Sequence, residues 1–179
     1  DKERQNAFLT QVMEESSDFL AFGIVDEAGI AHYTDGTTAD LADRDYIQQA
    51  FKGETVMSEI VISRVTGEPV IMLASPIDTK NGETALLLAR MDGYILSDVV
   101  SEITIGQTGH AYIVNKEGVF QGHSNKEYVK NGVNYLEDNV NPEEAKVIEQ
   151  LLANEEGIIS YEYADGTEHY IGYHKLPNG

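Results

Sequence analysis

Residues 40–54 read DLADRDYIQQAFKGE and set Arg44 between Asp43 and Asp45, at the first turn of an expected helix, in a chain with 31 Asp+Glu against 12 Lys+Arg. A helix N-terminus offers unpaired N–H groups and a partial positive charge, and a guanidinium adds a planar fork that suits a carboxylate. Together they would bind an anion inside an anionic protein. The plainer alternative is an exposed ion pair between Arg44 and Asp40, Asp43 or Asp45, worth about 0–1 kcal/mol. Spacing alone leaves both open.

Other chemistries find less support. The five histidines, His32, His110, His123, His169 and His174, form no close ligand cluster, and His169 and His174 are five apart in an expected strand, which points them to opposite faces. No metal or cofactor is expected. Paired acids, as a hydrolase would use, arise by chance among 31 carboxylates, and no Gly-x-Ser-x-Gly, Walker loop or His-Glu-x-x-His accompanies them. No catalytic residue is expected either. The ten tyrosines, several of them in YEYADGTEHYIGYH, lack the neighbouring cations of a base-stacking platform, and a net charge of −19 argues against any nucleic-acid partner.

Positioning Arg44 requires elements, and 179 residues with 41% hydrophobic content are enough for one ample core or two small modules. No apolar run approaches the roughly 20 residues of a membrane span; the best, VIMLASPI at 70–77, is strand-length. The absence of cysteine excludes disulfides and thiolate metal sites. The chain starts at Asp1 and stops at LPNG, so it is expected to be a piece of something larger.

DKERQNAFLTQVMEESSD has helical apolar spacing, which predicts a helix to about residue 17. FLAFGIVDEAGIAHYT follows as two apolar runs around a turn at Asp26 to Gly29, a β-hairpin. AYIVNKEGVFQGH repeats that design, with Asp26 to Asn115 and Gly29 to Gly118 both offset by 89. SRVTGEPVIMLASP and YEYADGTEHYIGYHKLP also correspond, with Gly67 to Gly166 offset by 99 and Pro76 to Pro177 by 101. Two copies of one module are therefore expected. In the first, Asp43 caps a helix to Lys52 with Ile47, Ala50 and Phe51 inward and Gly53 as its stop. In the second, Asn141-Pro142-Glu143-Glu144 starts a helix with Ile148, Leu151 and Leu152 as its apolar stripe. SDVVSEITIGQTGH is expected to join them as a short helix and loop.

These pieces, with RDYIQQAFKG, SRVTGEPVIMLASPI and IGQTGHAYIVN as the most specific, resemble the double Cache sensor domain over nearly the whole chain. The resemblance implies an α+β fold: a long N-terminal helix (residues 1–18) followed by two PAS-like antiparallel-sheet modules, a membrane-distal ligand-binding one (19–98) and a membrane-proximal one (99–179). It implies the extracytoplasmic part of a bacterial or archaeal receptor, such as a methyl-accepting chemotaxis protein, sensor histidine kinase or diguanylate cyclase. The partners implied are a small-molecule ligand and a second copy of the chain, joined as a homodimer through the N-terminal helix.

In the amino-acid-binding branch of that family an arginine grips the ligand carboxylate, and Arg44 matches it, with Tyr46 as the first following aromatic. Ile47 stands where a second aromatic would be, and Val61 and Ser63 where the branch has Tyr and Asp. The branch's ammonium-binding Asp corresponds to Arg90 in direct register, or to Asp92 with two residues gapped. Strand alternation puts 86, 88, 90 and 92 on one face. The expected ligand-binding residues are thus Arg44, Tyr46, Ser63, Arg90 and Asp92, and the ligand carries a carboxylate. With Arg90 inward a simple organic acid fits; with Asp92 inward an amino acid or amine does. His123, in FQGHSN, resembles a common histidine of the proximal module. The alternative is an interaction or adhesion module on the same fold, with no small ligand.

Overall fold

A computed structural model describes residues 2–15, 18–78, 84–134, 136–137, 142–162 and 165–176. The chain divides into two compact units, Asp1–Tyr94 and Ile95–Gly179.

The first unit opens with helix α1 (Lys2–Glu15), 14 residues and about 21 Å long at 1.5 Å per residue. This is shorter than the long helix the double Cache resemblance implied. The strands β1 (Phe19–Val25), β2 (Ile30–Tyr33) and β3 (Thr38–Asp40) follow, then helix α2 (Asp45–Ala50), then β4 (Val56–Met57), β5 (Val61–Ile62), β6 (Pro69–Asp78) and β7 (Thr84–Asp92). They make one antiparallel sheet in the order β3-β2-β1-β7-β6-β4, with β5 also pairing β6.

Alternation in these strands sorts apolar side chains to two faces. On one face Ala21, Val25, Ala31, Tyr33, Val70, Met72, Ala74, Leu86 and Leu88 pack with Leu41, Tyr46, Ile47 and Ala50, the segment containing α2. On the other, Phe22 and Ala89 pack with Leu9, and Val12, Met13 and Leu87 join them at partial burial, so α1 covers that side. Arg90 falls two residues after Leu88 and therefore on the α2 face.

The expected hairpin turn has a side-chain cause. Asp26 Oδ1 accepts from the backbone N–H of Ala28 and of Ile30, both at 3.0 Å, and Gly29 sits at φ +81°.

The second unit contains α3 (Ile95–Ser101), β8 (Thr104–Ile105), β9 (Gly109–His110), β10 (Ile113–Val114), β11 (Phe120–Gly122), α4 (Lys126–Lys130), α5 (Pro142–Ala153), β12 (Glu156–Glu162) and β13 (Glu168–His174). Among the described residues its strands form three separate two-stranded ladders rather than one joined sheet. The expected loop after α3 holds one of these, β8 paired with β9. In α5 Val147 and Ile148 are buried and Leu151 and Leu152 half-buried, the stripe that spacing suggested. The capping residue Asn141 and the repeat-matching Pro177 lie outside the described residues.

The two hairpin turns share one side-chain pattern. Asn115 Oδ1 accepts from the N–H of Glu117 at 3.1 Å and of Val119 at 2.9 Å, and Gly118 has φ +85°. Asn115→Ala is expected to cost about 1–2 kcal/mol in denaturant unfolding, whereas Asn115→Asp keeps the acceptor and costs less than half of that.

Candidate ligand-binding site

Arg44 is the N-cap residue of α2, at φ −80° and ψ 128°, and its side chain makes no capping bond. The guanidinium instead reaches across to the β5 segment, where Nη2 donates to the Ile62 carbonyl at 3.0 Å. Its Nε is buried and has no hydrogen-bond partner. Among the described residues Arg44 makes no ion pair, and two of the acids beside it, Asp40 and Asp43, are engaged elsewhere. Asp40 Oδ1 accepts from the Ala42 N–H at 3.1 Å.

Asp43 does not cap the helix, contrary to the expectation from its position. Its two carboxylate oxygens take Arg64 Nη1 and Nη2 at 2.6 and 2.7 Å. Arg64 Nη1 also donates to the Asp40 carbonyl at 2.6 Å. A bidentate arginine pair is a stronger attraction for a carboxylate than one backbone N–H. Arg64 holds the Asp43 carboxyl below its ordinary range, and Asp43 in turn raises the Arg64 guanidinium. Arg44 and Arg64 thus cross in opposite directions between residues 40–44 and 61–64, tying the two segments together. Nothing local in the sequence marks Arg64 for this, since its partners are more than twenty residues away. The anion site expected from a helix N-terminus is also reduced, because α2 has only six residues and a small dipole.

Tyr46 faces the sheet at 6% exposure, next to Ile47. Burial pushes its hydroxyl up to about 12, with the nearby Tyr33 adding to the rise and Arg44 opposing it. In an unfolded chain the phenol titrates near pH 10. Folding therefore favours the neutral form, a contribution fully present below about pH 10 and lost as pH climbs toward 12. At 1.36 kcal/mol per pH unit the loss is about 3 kcal/mol. Wild-type protein is expected to lose stability over that window, and Tyr46→Phe to lose much less, as read by unfolding curves at pH 9 to 12.

Arg90 lies in β7 opposite Met72 of β6 and Ala21 of β1, and is 6% exposed. Its guanidinium carbon sits 5.3 Å from the centre of the Tyr33 ring, a cation–π contact. Nη1 is buried without a hydrogen-bond partner. Tyr33, an inward residue of β2, lies within electrostatic range of Arg90 and of Tyr46, so it joins the two ends of this region. Its alternating position in IAHYT is the sequence feature that could have drawn attention to it.

The two remaining expected residues are placed differently. Ser63 is buried at 8% exposure, but its hydroxyl oxygen accepts from the N–H of Val65 at 3.3 Å and of Thr66 at 3.2 Å, so it builds the β5–β6 turn. Asp92 ends β7, is exposed, and accepts from the Tyr94 N–H at 2.8 Å. Arg90 thus lies over Tyr33, which shares a core cluster with Tyr46, two residues after Arg44, whereas Ser63 and Asp92 serve turns.

In the second unit His123 is buried, with Nδ1 accepting the Asn125 N–H at 2.9 Å and its ring stacked 4.6 Å from that of Tyr128. Phe120 packs edge-on at 5.0 Å. His169 and His174 are exposed on β13. Among the described residues no group of three or more His, Asp or Glu is arranged to hold a metal ion.

Residues 1–179, the whole chain, match the double Cache family, dCache_1, described as the Cache domain. The chain is a Cache domain. No curated protein sequence matches it. Solved structures similar to this Cache domain include the extracellular domain of mmHK1S-Z2, described as that of a histidine kinase, at 16% identity and a TM-score of 0.73 over 100% of this chain and 78% of the other. The ligand-binding domain of Mlp24 with asparagine is 20% identical at a TM-score of 0.69, over 98% of this chain and 72% of the other. The ligand-binding domain of the Campylobacter jejuni chemoreceptor Tlp3, in complex with 4-methylisoleucine, is 15% identical at a TM-score of 0.67, over 92% of this chain and 64% of the other. At these identities the likeness speaks to the fold.

Proposed function

We propose that this Cache domain is the extracytoplasmic sensing module of a transmembrane signalling receptor, and that its first unit binds a small ligand through a carboxylate. The observation that carries the reading is a pair of buried guanidinium nitrogens without partners, Arg44 Nε and Arg90 Nη1, on the α2 side of one sheet. A buried N–H left without an acceptor costs about 1–3 kcal/mol, and more when charged, which an incoming anion would relieve. Support also comes from the ligands named with structures of the same fold, asparagine in Mlp24 and 4-methylisoleucine in Tlp3. Binding is non-catalytic in this reading.

Signalling then requires that the ligand bind one arrangement of a dimer better than another, with α1 as the pairing helix. Thermal-shift screening against amino acids, amines and short organic acids tests the binding step. A carboxylate at 100 times its dissociation constant stabilises by about 2.7 kcal/mol, a readily measured rise. No shift with any carboxylate would overturn the reading and favour an interaction module without a small ligand.

A further inference from the structure

Residues 40–44 and 61–64 come from separate parts of the first unit, and each segment is fixed on its own side. The Leu41 N–H donates to the Gly29 carbonyl at 2.9 Å, and the Arg44 N–H to the Leu41 carbonyl at 3.0 Å. In the other segment the Ser63 N–H donates to the Glu68 carbonyl, and the Gly67 N–H to the Ser63 carbonyl, both at 2.9 Å. Among the described residues no backbone hydrogen bond joins the two segments, since β3 pairs with β2 and β5 with β6. What crosses the seam is two arginine side chains: Arg44 to the Ile62 carbonyl, and Arg64 to the Asp40 carbonyl and both Asp43 carboxylate oxygens.

The two ties are unequal. Arg64 makes three bonds at 2.6–2.7 Å, two of them the fork-to-carboxylate pairing, and Arg44 makes one at 3.0 Å. The Asp43 and Arg64 side chains are also open to water, at 67% and 38% exposure, whereas Arg44 Nε is closed off from solvent. An acceptor reaches a closed-off Nε only after its surroundings part. The seam beside Arg44 that lacks backbone bonds is the one Arg64 holds.

We infer that Arg64 is a positioning residue: with Asp43 it forms a clasp that keeps this seam shut, holds Arg44 against Ile62, and sets how readily the Arg44 guanidinium is reached. The inference rests on the carboxylate reading above only for what enters; the clasp itself stands on the geometry. Arg64 acts here through Asp43 and the Asp40 backbone.

Phenylglyoxal, which modifies accessible guanidinium groups, tests the clasp on the 179-residue chain without a ligand, the rate at each arginine being read by mass spectrometry. Asp43→Asn and Arg64→Met are each expected to speed modification of Arg44 about fivefold. Arg90, 6% exposed and outside the seam, is expected to change less than about twofold. The double variant is expected to match Arg64→Met within about twofold, because one interaction can be lost only once. Arg64→Lys keeps the charge without the fork and is expected to fall between wild type and Arg64→Met. An unchanged Arg44 rate in both single variants would overturn the inference. So would a parallel rise at Arg90, which marks general loosening of the unit, or effects that add in the double variant. Acetate is expected to slow the Arg44 reaction in Arg64→Met; no protection by acetate would overturn the carboxylate reading and leave the clasp standing.

Discussion

Arg44→Ala is expected to weaken the best-binding carboxylate about 100-fold while lowering the melting temperature by no more than about 5 °C. The affinity side follows from losing a charge-assisted fork, whose bonds to an anion are roughly twice as strong as neutral ones. The stability side follows from what the side chain does in the unliganded fold. It makes one hydrogen bond, to the Ile62 carbonyl, and buries an Nε with no partner. Removing the bond costs about 1 kcal/mol, and removing the orphaned donor offsets part of that. An arginine kept for structure would show the reverse pattern. Calorimetry and thermal unfolding on the same samples separate the two quantities. A large fall in melting temperature with affinity unchanged would place Arg44 among structural residues.

Gly29→Ala is expected to destabilise the first unit by about 3–5 kcal/mol and to weaken ligand binding with it. The residue sits at φ +81°, where a β-carbon costs about 1–2 kcal/mol. The added carbon would also lie 2.6 Å from both Cα and Cβ of Ala42, and 2.9 Å from its backbone nitrogen. Those are main-chain neighbours that cannot swing aside, and the Leu41 N–H is bonded to the Gly29 carbonyl at 2.9 Å. Residues 41–44 would have to move, and Asp43 and Arg44 move with them. Gly36→Ala is the internal control, with φ +85° and open space around the new carbon, and should show the backbone cost alone. The matching glycine of the second hairpin, Gly118, meets mainly the Leu136 side chain at 3.0 Å, so its substitution should cost less than that of Gly29. Denaturant unfolding of the variants checks the ranking.

The hairpin turns could be read from the chain because their cause is local: an Asp or Asn bonding N–H groups two and four residues on, followed by a glycine in the left-handed region. The α2 face of the core was readable for the same reason, Ile47 and Ala50 being spaced for a helix. Where the reading failed, the deciding partner was distant. Asp43 looks like a cap until Arg64 arrives from another hairpin, and Arg64 itself has no local mark. Ser63 stands at a ligand position by the family resemblance, yet its oxygen is taken by the turn that follows it. Asp92 shares the parity of Arg90, but the strand ends there and its carboxylate turns to the backbone of Tyr94. Alternation specifies a face only while the strand lasts.

Strand β1 lies in the middle of its sheet, bonded on one side to β2 beside it in sequence and on the other to β7, the last strand of the unit. In a chain that emerges N-terminus first, the β1–β2–β3 ribbon could form early and would keep a bare edge on β1 until residue 92 has emerged. At about 5–20 residues per second that interval is on the order of 3–10 s. An apolar strand with unpaired N–H and C=O groups is a template for wrong partners during that time. Arg90 lies on the strand that closes the edge, so the same docking event that ends the exposure also brings Arg90 to the α2 face.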